Sequence, residues 1–250
     1  MLTEHQIETF KTTGILRLEK FLPAEVVHAA QTFIFGLAEK EGAWQGKIGQ
    51  DSTWQLDETS KRPKFTKPMM KEELKILETS ELLAVIDILV EGERLKVRRK
   101  PSLLFTLPRT RTRPAWHTDA PRQPHGMTPG VQMFTCLDAV VPGGGGTLAV
   151  SGSHRLVDNG EHIRSKEIKT LLMQYEYFQT LFSMKQPTLE ELLATSGTAE
   201  DIELQVVEMH GEPRDVVLMD LRILHTGSSN TTTRPRLMVT ERYYLESALD

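Results

Sequence analysis

The sequence predicts a mainly β domain with flanking helices, and three observations carry that reading. From about residue 94 onward, short apolar runs such as "SLLFTL", "VQMFTCL", "TLAV", "DVVLMD" and "RLMVTERYY" alternate with Pro, Gly and Asn clusters. That is the punctuation of an antiparallel sandwich or barrel. The first hundred residues instead repeat their apolar positions at helical spacing. No repeat, low-complexity tract or linker divides the chain, so helices and strands are expected to share one domain over residues 1–250. A chain of that length buries a sizeable core without staples.

In chain order, Thr3 is expected to cap a short helix, with Gln6 reaching back in a capping box and Ile7 and Phe10 on one face. The strand "GILRL" follows. Pro23 opens a longer helix in which Val26, Val27, Ala30, Phe33, Ile34 and Leu37 recur until Gly42 ends it. Residues 43–68 read as a long loop around Trp44 and Trp54, of the kind that forms lids or binding segments. Short helices follow near 70–77 and 80–90, closing a helical N-terminal part over about 1–92. The β core is expected over about 94–155 and 213–246. Between its halves, "EIKTLLMQYEYFQTLF" and "TLEELLAT" give a helical insertion over about 156–212.

A formal charge of -4 and a pI near 6.1 provide no basic surface for nucleic acid, so a small-molecule partner is expected. The single cysteine, Cys136, has no internal disulfide partner and reads as a core hydrophobe in a reducing compartment. The start "MLTEHQIETFKTTG" lacks the basic and apolar regions of a signal peptide, and "LLAVIDILV" is too short to span a bilayer. The end "YYLESALD" carries no peroxisomal or retention address. A cytoplasmic protein without a membrane partner is the expectation.

Chemistry enters at "RPAWHTDAPR", where His117 and Asp119 stand two apart. With 8 histidines and 34 acids in 250 residues, chance alone supplies about one such triplet, and His210-Gly-Glu212 is a second. In a strand, residues i and i+2 share a face, so His117 and Asp119 can present an imidazole and a carboxylate to one point. "HGEPRD" reads as a turn, where side chains two apart need not converge. The best third ligand is His225 in "DLRILHTGSSN", at the end of an expected strand beside a Gly/Ser/Asn loop, and two histidines with a carboxylate leave three positions open on ferrous iron. Arg236 follows after a turn-rich loop, and a hairpin there would return its guanidinium beside His225, where it can clamp the far carboxylate of an iron-chelating dicarboxylate; taken in isolation, an arginine snorkelling from a strand end is the plainer reading.

The segments "WHTDA", "VQMFTCLDAVVPGGGGTLAVSGSHRL" and "HTGSSNTTTRPRLMVTERYY", in this order, resemble the phytanoyl-CoA dioxygenase family of Fe(II)/2-oxoglutarate oxygenases, over roughly 94–155 and 213–244. The resemblance implies a double-stranded β-helix, a jelly-roll core of cupin type. It places Fe(II) on His117, Asp119 and His225, and the C5 carboxylate of the cosubstrate 2-oxoglutarate on Arg236. It also puts Phe134 near that cosubstrate and implies O2 as the oxidant. The chain departs from the family where Glu-Asn-Gly is replaced by "GGGG", residues 143–146. No lysine follows these glycines, which argues against a phosphate loop.

Other residues have plainer readings. His154 in "SGSHR" fits a structural turn, and Trp116 is expected on the opposite side of its strand from His117. Arg109, Arg111, Arg113 and Arg122 fit a solvated edge, with Arg122 or a neighbour the candidate for an anionic group on the substrate. Hydroxylation of an unactivated C–H bond is the expected reaction; the same triad also serves desaturation, epoxidation or ring closure. Two rivals remain, a cupin-like metal isomerase or hydrolase without 2-oxoglutarate and a non-catalytic binder on the same scaffold. Substrate choice is expected to lie in the 43–68 loop and the 156–212 insertion.

Overall fold

The computed structural model describes residues 2–48, 53–66, 72–91, 95–97, 101–120, 127–157 and 165–248. The chain begins with α1 (Glu4–Thr13), β1 (Ile15–Leu18) and α2 (Ala24–Lys40), then a two-residue hairpin, β2 (Trp44–Gln45) and β3 (Thr53–Trp54). After α3 (Ser80–Leu89) come β4 (Leu95–Val97), β5 (Ser102–Thr106), β6 (Gly130–Cys136) and β7 (Thr147–Ser151). The helices α4 (Ser165–Leu172), α5 (Glu176–Ser183) and α6 (Leu189–Leu193) precede β8 (Ser196–Ala199) and β9 (Ile202–Met209). β10 (Val216–Asp220), β11 (His225–Thr226) and β12 (Arg236–Leu245) complete the chain.

Local chemistry sets the N-terminal elements. Thr3 and Gln6 form the expected capping box, and Gly14 ends α1 in the left-handed region at φ 73°. The segment after Pro23 folds as α2 with Val27, Ala30, Ile34, Phe35 and Ala38 buried. Of the two short helices expected next, the first is a 3-10 helix at Glu72–Leu77 and the second is α3, capped by Thr79.

Two antiparallel sheets face each other, as in a double-stranded β-helix. The six-stranded sheet runs β1-β10-β6-β12-β4, with β5 also on β12, and the four-stranded sheet runs β11-β7-β9-β8. One face of the large sheet, through Met133, Leu218, Leu237 and Val239, packs against α2 and α3, so the N-terminal helices share its core. The opposite face meets the small sheet through Phe134, Cys136, Met219 and Met238 against Ala149 and Met209. Because β12 is covered on both sides, "RLMVTERYYL" is buried almost throughout.

One boundary differs from the sequence reading. The helical insertion stops at Leu193, and residues 196–209 form β8 and β9, with Gln205–Met209 of β9 pairing β7 and its first half pairing β8 in the small sheet. The period-two alternation Ile202, Leu204, Val206 against Glu203 and Gln205 states that strand, with burial alternating accordingly. Among the described residues, no helix is long and apolar enough to cross a membrane.

Candidate metal and cosubstrate site

His117 lies on an extended segment that bridges β11: its N–H donates to the His225 carbonyl at 3.0 Å, and the His225 N–H returns the bond at 2.9 Å. The two imidazoles therefore sit side by side, with ring centroids 4.3 Å apart. Each is oriented by its own backbone. Nδ1 of His117 is 2.8 Å from the Ala115 carbonyl, and Nδ1 of His225 is 3.0 Å from the Ile223 carbonyl. A carbonyl only accepts, so each Nδ1 carries the proton and each Nε2 keeps its lone pair for a metal. Burial, aided by the neighbouring His225, lowers the His117 pKa and favours the neutral ring.

Asp119 is anchored by its backbone N–H on the Leu221 carbonyl, and its Oδ2 lies 3.4 Å from Nε2 of His225. The potential ligand atoms of His117, Asp119 and His225 all fall within 4.8 Å of one another, and this set can hold a metal ion. It is the one such cluster found among the described residues; His210 and Glu212 are outside it. His154 is elsewhere too, buried with Nε2 3.0 Å from the Lys11 carbonyl, in keeping with a structural role.

The sequence reading missed Arg242. From β12 its Nε and Nη2 donate to the same Asp119 oxygen, at 2.7 and 2.6 Å, crossing from the large sheet to the ligands beside the small one. Burial alone would raise the Asp119 pKa. The neighbouring His225 and the charge of Arg242 outweigh it and hold the pKa at about 2. The carboxylate is thus ionised and rotationally fixed before any metal arrives. Period two was the available signal, since Arg236, Met238, Thr240 and Arg242 share one face of β12.

Arg236 opens β12, and its Nη1 donates to the Gly145 carbonyl at 2.6 Å. Its Nε is buried without a partner. Burial lowers its pKa to about 10, with the charge of Arg62, between β3 and α3, acting in the same direction and Cys136 and Glu208 opposing it. A buried guanidinium with an orphaned N–H, near a second cation, fits a carboxylate. The anticipated hairpin is absent: β11 and β12 belong to different sheets, and residues 227–235 cross between them. The "GGGG" turn has a clear task. Gly143 and Gly145 adopt φ of 78° and 85°, the N–H groups of Gly143 and Gly146 donate to Glu208 at 2.8 and 3.0 Å, and Gly145 grips Arg236.

Phe134 is buried on the inner face of β6, directly opposite Thr240, among Ala149, Met219 and Met238. Two residues earlier, Gln132 stands opposite Arg242. The Thr240 hydroxyl donates to the Met133 carbonyl at 2.8 Å, so it can only accept from Gln132 Nε2 at 2.9 Å. This fixes the amide and leaves Gln132 Oε1 a buried acceptor without a partner. Trp116 packs against the second core cluster, under the small sheet. Arg122, the candidate for an anionic substrate group, lies outside the described residues.

A double-stranded β-helix with two histidines and a carboxylate at its mouth is the scaffold of a non-haem iron enzyme. The family model described as Phytanoyl-CoA dioxygenase (PhyH) matches residues 10–238, and the chain belongs to that family, one of iron- and 2-oxoglutarate-dependent enzymes. Solved structures share the fold. AviO1 from Streptomyces viridochromogenes Tue57 is 19% identical, with 98% of this chain and 96% of that one covered and a TM-score of 0.60. SnoK, a non-haem α-ketoglutarate-dependent carbocyclase from nogalamycin biosynthesis, is 17% identical over 97% and 84% of the chains, with a TM-score of 0.61. HygX from Streptomyces hygroscopicus, solved with nickel and 2-oxoglutarate bound, is 16% identical over 98% and 88%, with a TM-score of 0.58. No protein of curated function matches the sequence.

Proposed function

We propose that this chain is an Fe(II)/2-oxoglutarate-dependent oxygenase that hydroxylates an unactivated C–H bond of a small molecule, converting 2-oxoglutarate and O2 to succinate and CO2. One observation carries the reading: two oriented imidazoles and an ionised carboxylate converge, and Arg236, on the same face of β12 as the Arg242 that holds this carboxylate, is buried with an N–H that has no partner. Bound iron and 2-oxoglutarate would supply the activation of dioxygen. The protein's part is placement. His117, Asp119 and His225 are the iron ligands, and Arg242 fixes the carboxylate among them. Arg236 takes the C5 carboxylate with the N–H that has no other partner, while Gly145 holds its other arm. Phe134 supplies an apolar wall between the sheets that excludes water. Gln132 Oε1 calls for a hydrogen-bond donor, which 2-oxoglutarate cannot offer since its polar atoms all accept, so that acceptor faces substrate or water.

A metal isomerase or hydrolase gives no reason to bury Arg236 with an unmet N–H. The test is Fe(II)-dependent formation of succinate from 2-oxoglutarate with matched O2 uptake. Loss of succinate in His117→Ala and a raised KM for 2-oxoglutarate in Arg236→Gln are expected. Iron binding with no succinate formed from 2-oxoglutarate would sink the proposal. Once a substrate is found, one oxygen gained at a saturated carbon marks hydroxylation, one oxygen gained across a C=C bond marks epoxidation, and loss of two hydrogens marks desaturation or ring closure.

A further inference from the structure

We propose that a hollow beside His117 receives the anionic group, a carboxylate or a phosphate, of an otherwise apolar substrate; this rests on the oxygenase reading and names the substrate class for it. The segment 113–117, together with α4, α5 and the turn after α5, encloses about 480 Å³, within the range of small-molecule sites. His117 and Trp116 form one side, and Leu181, Phe182 and Met184 supply apolar surface. Apart from His117, its ionisable lining side chains are Arg113 and Lys169, with no acid among them. The Lys169 ammonium lies 4.8 Å from the centroid of the Phe182 ring, held against the wall by the ring's π face. Neither cation is ion-paired among the described residues. An adjoining hollow of about 440 Å³ shares Arg113, Pro114 and Pro187 and adds Arg111, with Glu190 as its acid.

In a chain whose formal charge is -4, this is a local reversal of sign beside a candidate metal ligand. A cleft of one sign with low-dielectric walls concentrates ligands of the other sign, and a guanidinium matches a carboxylate or phosphate by paired hydrogen bonds. Apolar walls add the requirement for a hydrophobic body. The carboxylate of the cosubstrate is not the occupant, because Arg236 stands between the sheets to take it.

Trp116 makes the site observable. Protein loaded anaerobically with Fe(II) and 2-oxoglutarate is titrated with phenylacetate, phenylacetamide and phenyl phosphate while tryptophan emission is followed. A Trp116→Phe variant subtracts the signal of Trp44 and Trp54. At least one anion is expected to quench Trp116 in the millimolar range or below, and the amide to bind roughly tenfold more weakly. The double variant Arg113→Gln/Lys169→Gln is expected to lose about tenfold in anion affinity, with amide affinity and the visible charge-transfer band unchanged. Lys169→Arg should retain the affinity. The tighter anion identifies a carboxylic acid or a phosphate ester as the natural group. Equal binding of acid and amide, no quenching by either anion, or full anion affinity in the double variant overturns the proposal. Absence of the charge-transfer band in wild type overturns the oxygenase reading instead, and the quenching comparison still decides this one.

Discussion

At the scale of single residues, Arg242 contributes what the ligand motif cannot supply for itself. Two N–H bonds to one oxygen hold the Asp119 carboxylate ionised and in a fixed rotation. Outer partners of this kind typically govern metal affinity by about 10–100-fold. An Arg242→Met variant is therefore expected to keep its fold and to weaken Fe(II) binding by about that factor, as read by competition with a metal-sensing dye. Unchanged Fe(II) affinity with weakened 2-oxoglutarate binding would instead make Arg242 a cosubstrate ligand. His117, Asp119, His225 and Arg236 could be singled out from sequence only by residue type and the family resemblance together, since the His-x-acid spacing alone occurs by chance; the structure brings the first three within 4.8 Å of one another. Arg242 and Gln132 could not be singled out, since their meaning depends on which strand each faces, and register is a tertiary property.

At the scale of elements, the glycine turn shows how a departure from a family pattern can preserve a site. Gly145 has φ of 85°, and an added Cβ would stand 3.0 Å from the Asn230 Cβ, while at Gly146 it would meet the Met209 carbonyl. Gly145→Ala is expected to cost about 1–3 kcal/mol in denaturant unfolding. It should also raise the KM for 2-oxoglutarate, because its carbonyl holds Arg236, and leave Fe(II) affinity alone. At the end of β10, Asp220 is almost fully buried and accepts from the Arg222 guanidinium at 3.0 and 2.8 Å and from its N–H at 2.8 Å. Burial pushes this carboxyl up, and the charge and hydrogen bonds of Arg222 outweigh it, so the pKa lies below the ordinary 3.8. A depressed carboxylate stabilises the fold fully above its unfolded pKa and loses that contribution as pH falls through the lower folded value. Asp220→Asn is expected to cost about 3–5 kcal/mol at neutral pH, with the difference from wild type shrinking below pH 3.8 in acid unfolding curves. A constant difference down to the acid limit would contradict the pairing. Elements whose period was unambiguous, such as α1, α2 and the central strands, were read from sequence. β9 was not, since its alternation follows directly on a helical block and was absorbed into it.

At the scale of the whole molecule, two sheets bring together residues far apart in the chain. The small sheet and the segment bridged to it carry His225, His117 and Asp119, while β12 of the large sheet presents Arg236 and Arg242. The helices between β7 and β8 wall the hollow beside His117, so under the proposal made for it substrate choice would lie in that insertion. The antiparallel architecture was legible in the spacing of short apolar runs. The crossing of 227–235 between sheets was not, because a turn-rich loop reads alike whether it closes a hairpin or joins two layers. The central claim is that the triad and Arg236 serve one chelated cosubstrate. Its most direct test is anaerobic titration of the apoprotein with Fe(II) and then 2-oxoglutarate, following the weak visible metal-to-ligand charge-transfer band. The account predicts that the band appears in wild type, is lost in His225→Ala, and needs more 2-oxoglutarate in Arg236→Gln. Iron binding in wild type with no band at saturating 2-oxoglutarate would contradict it.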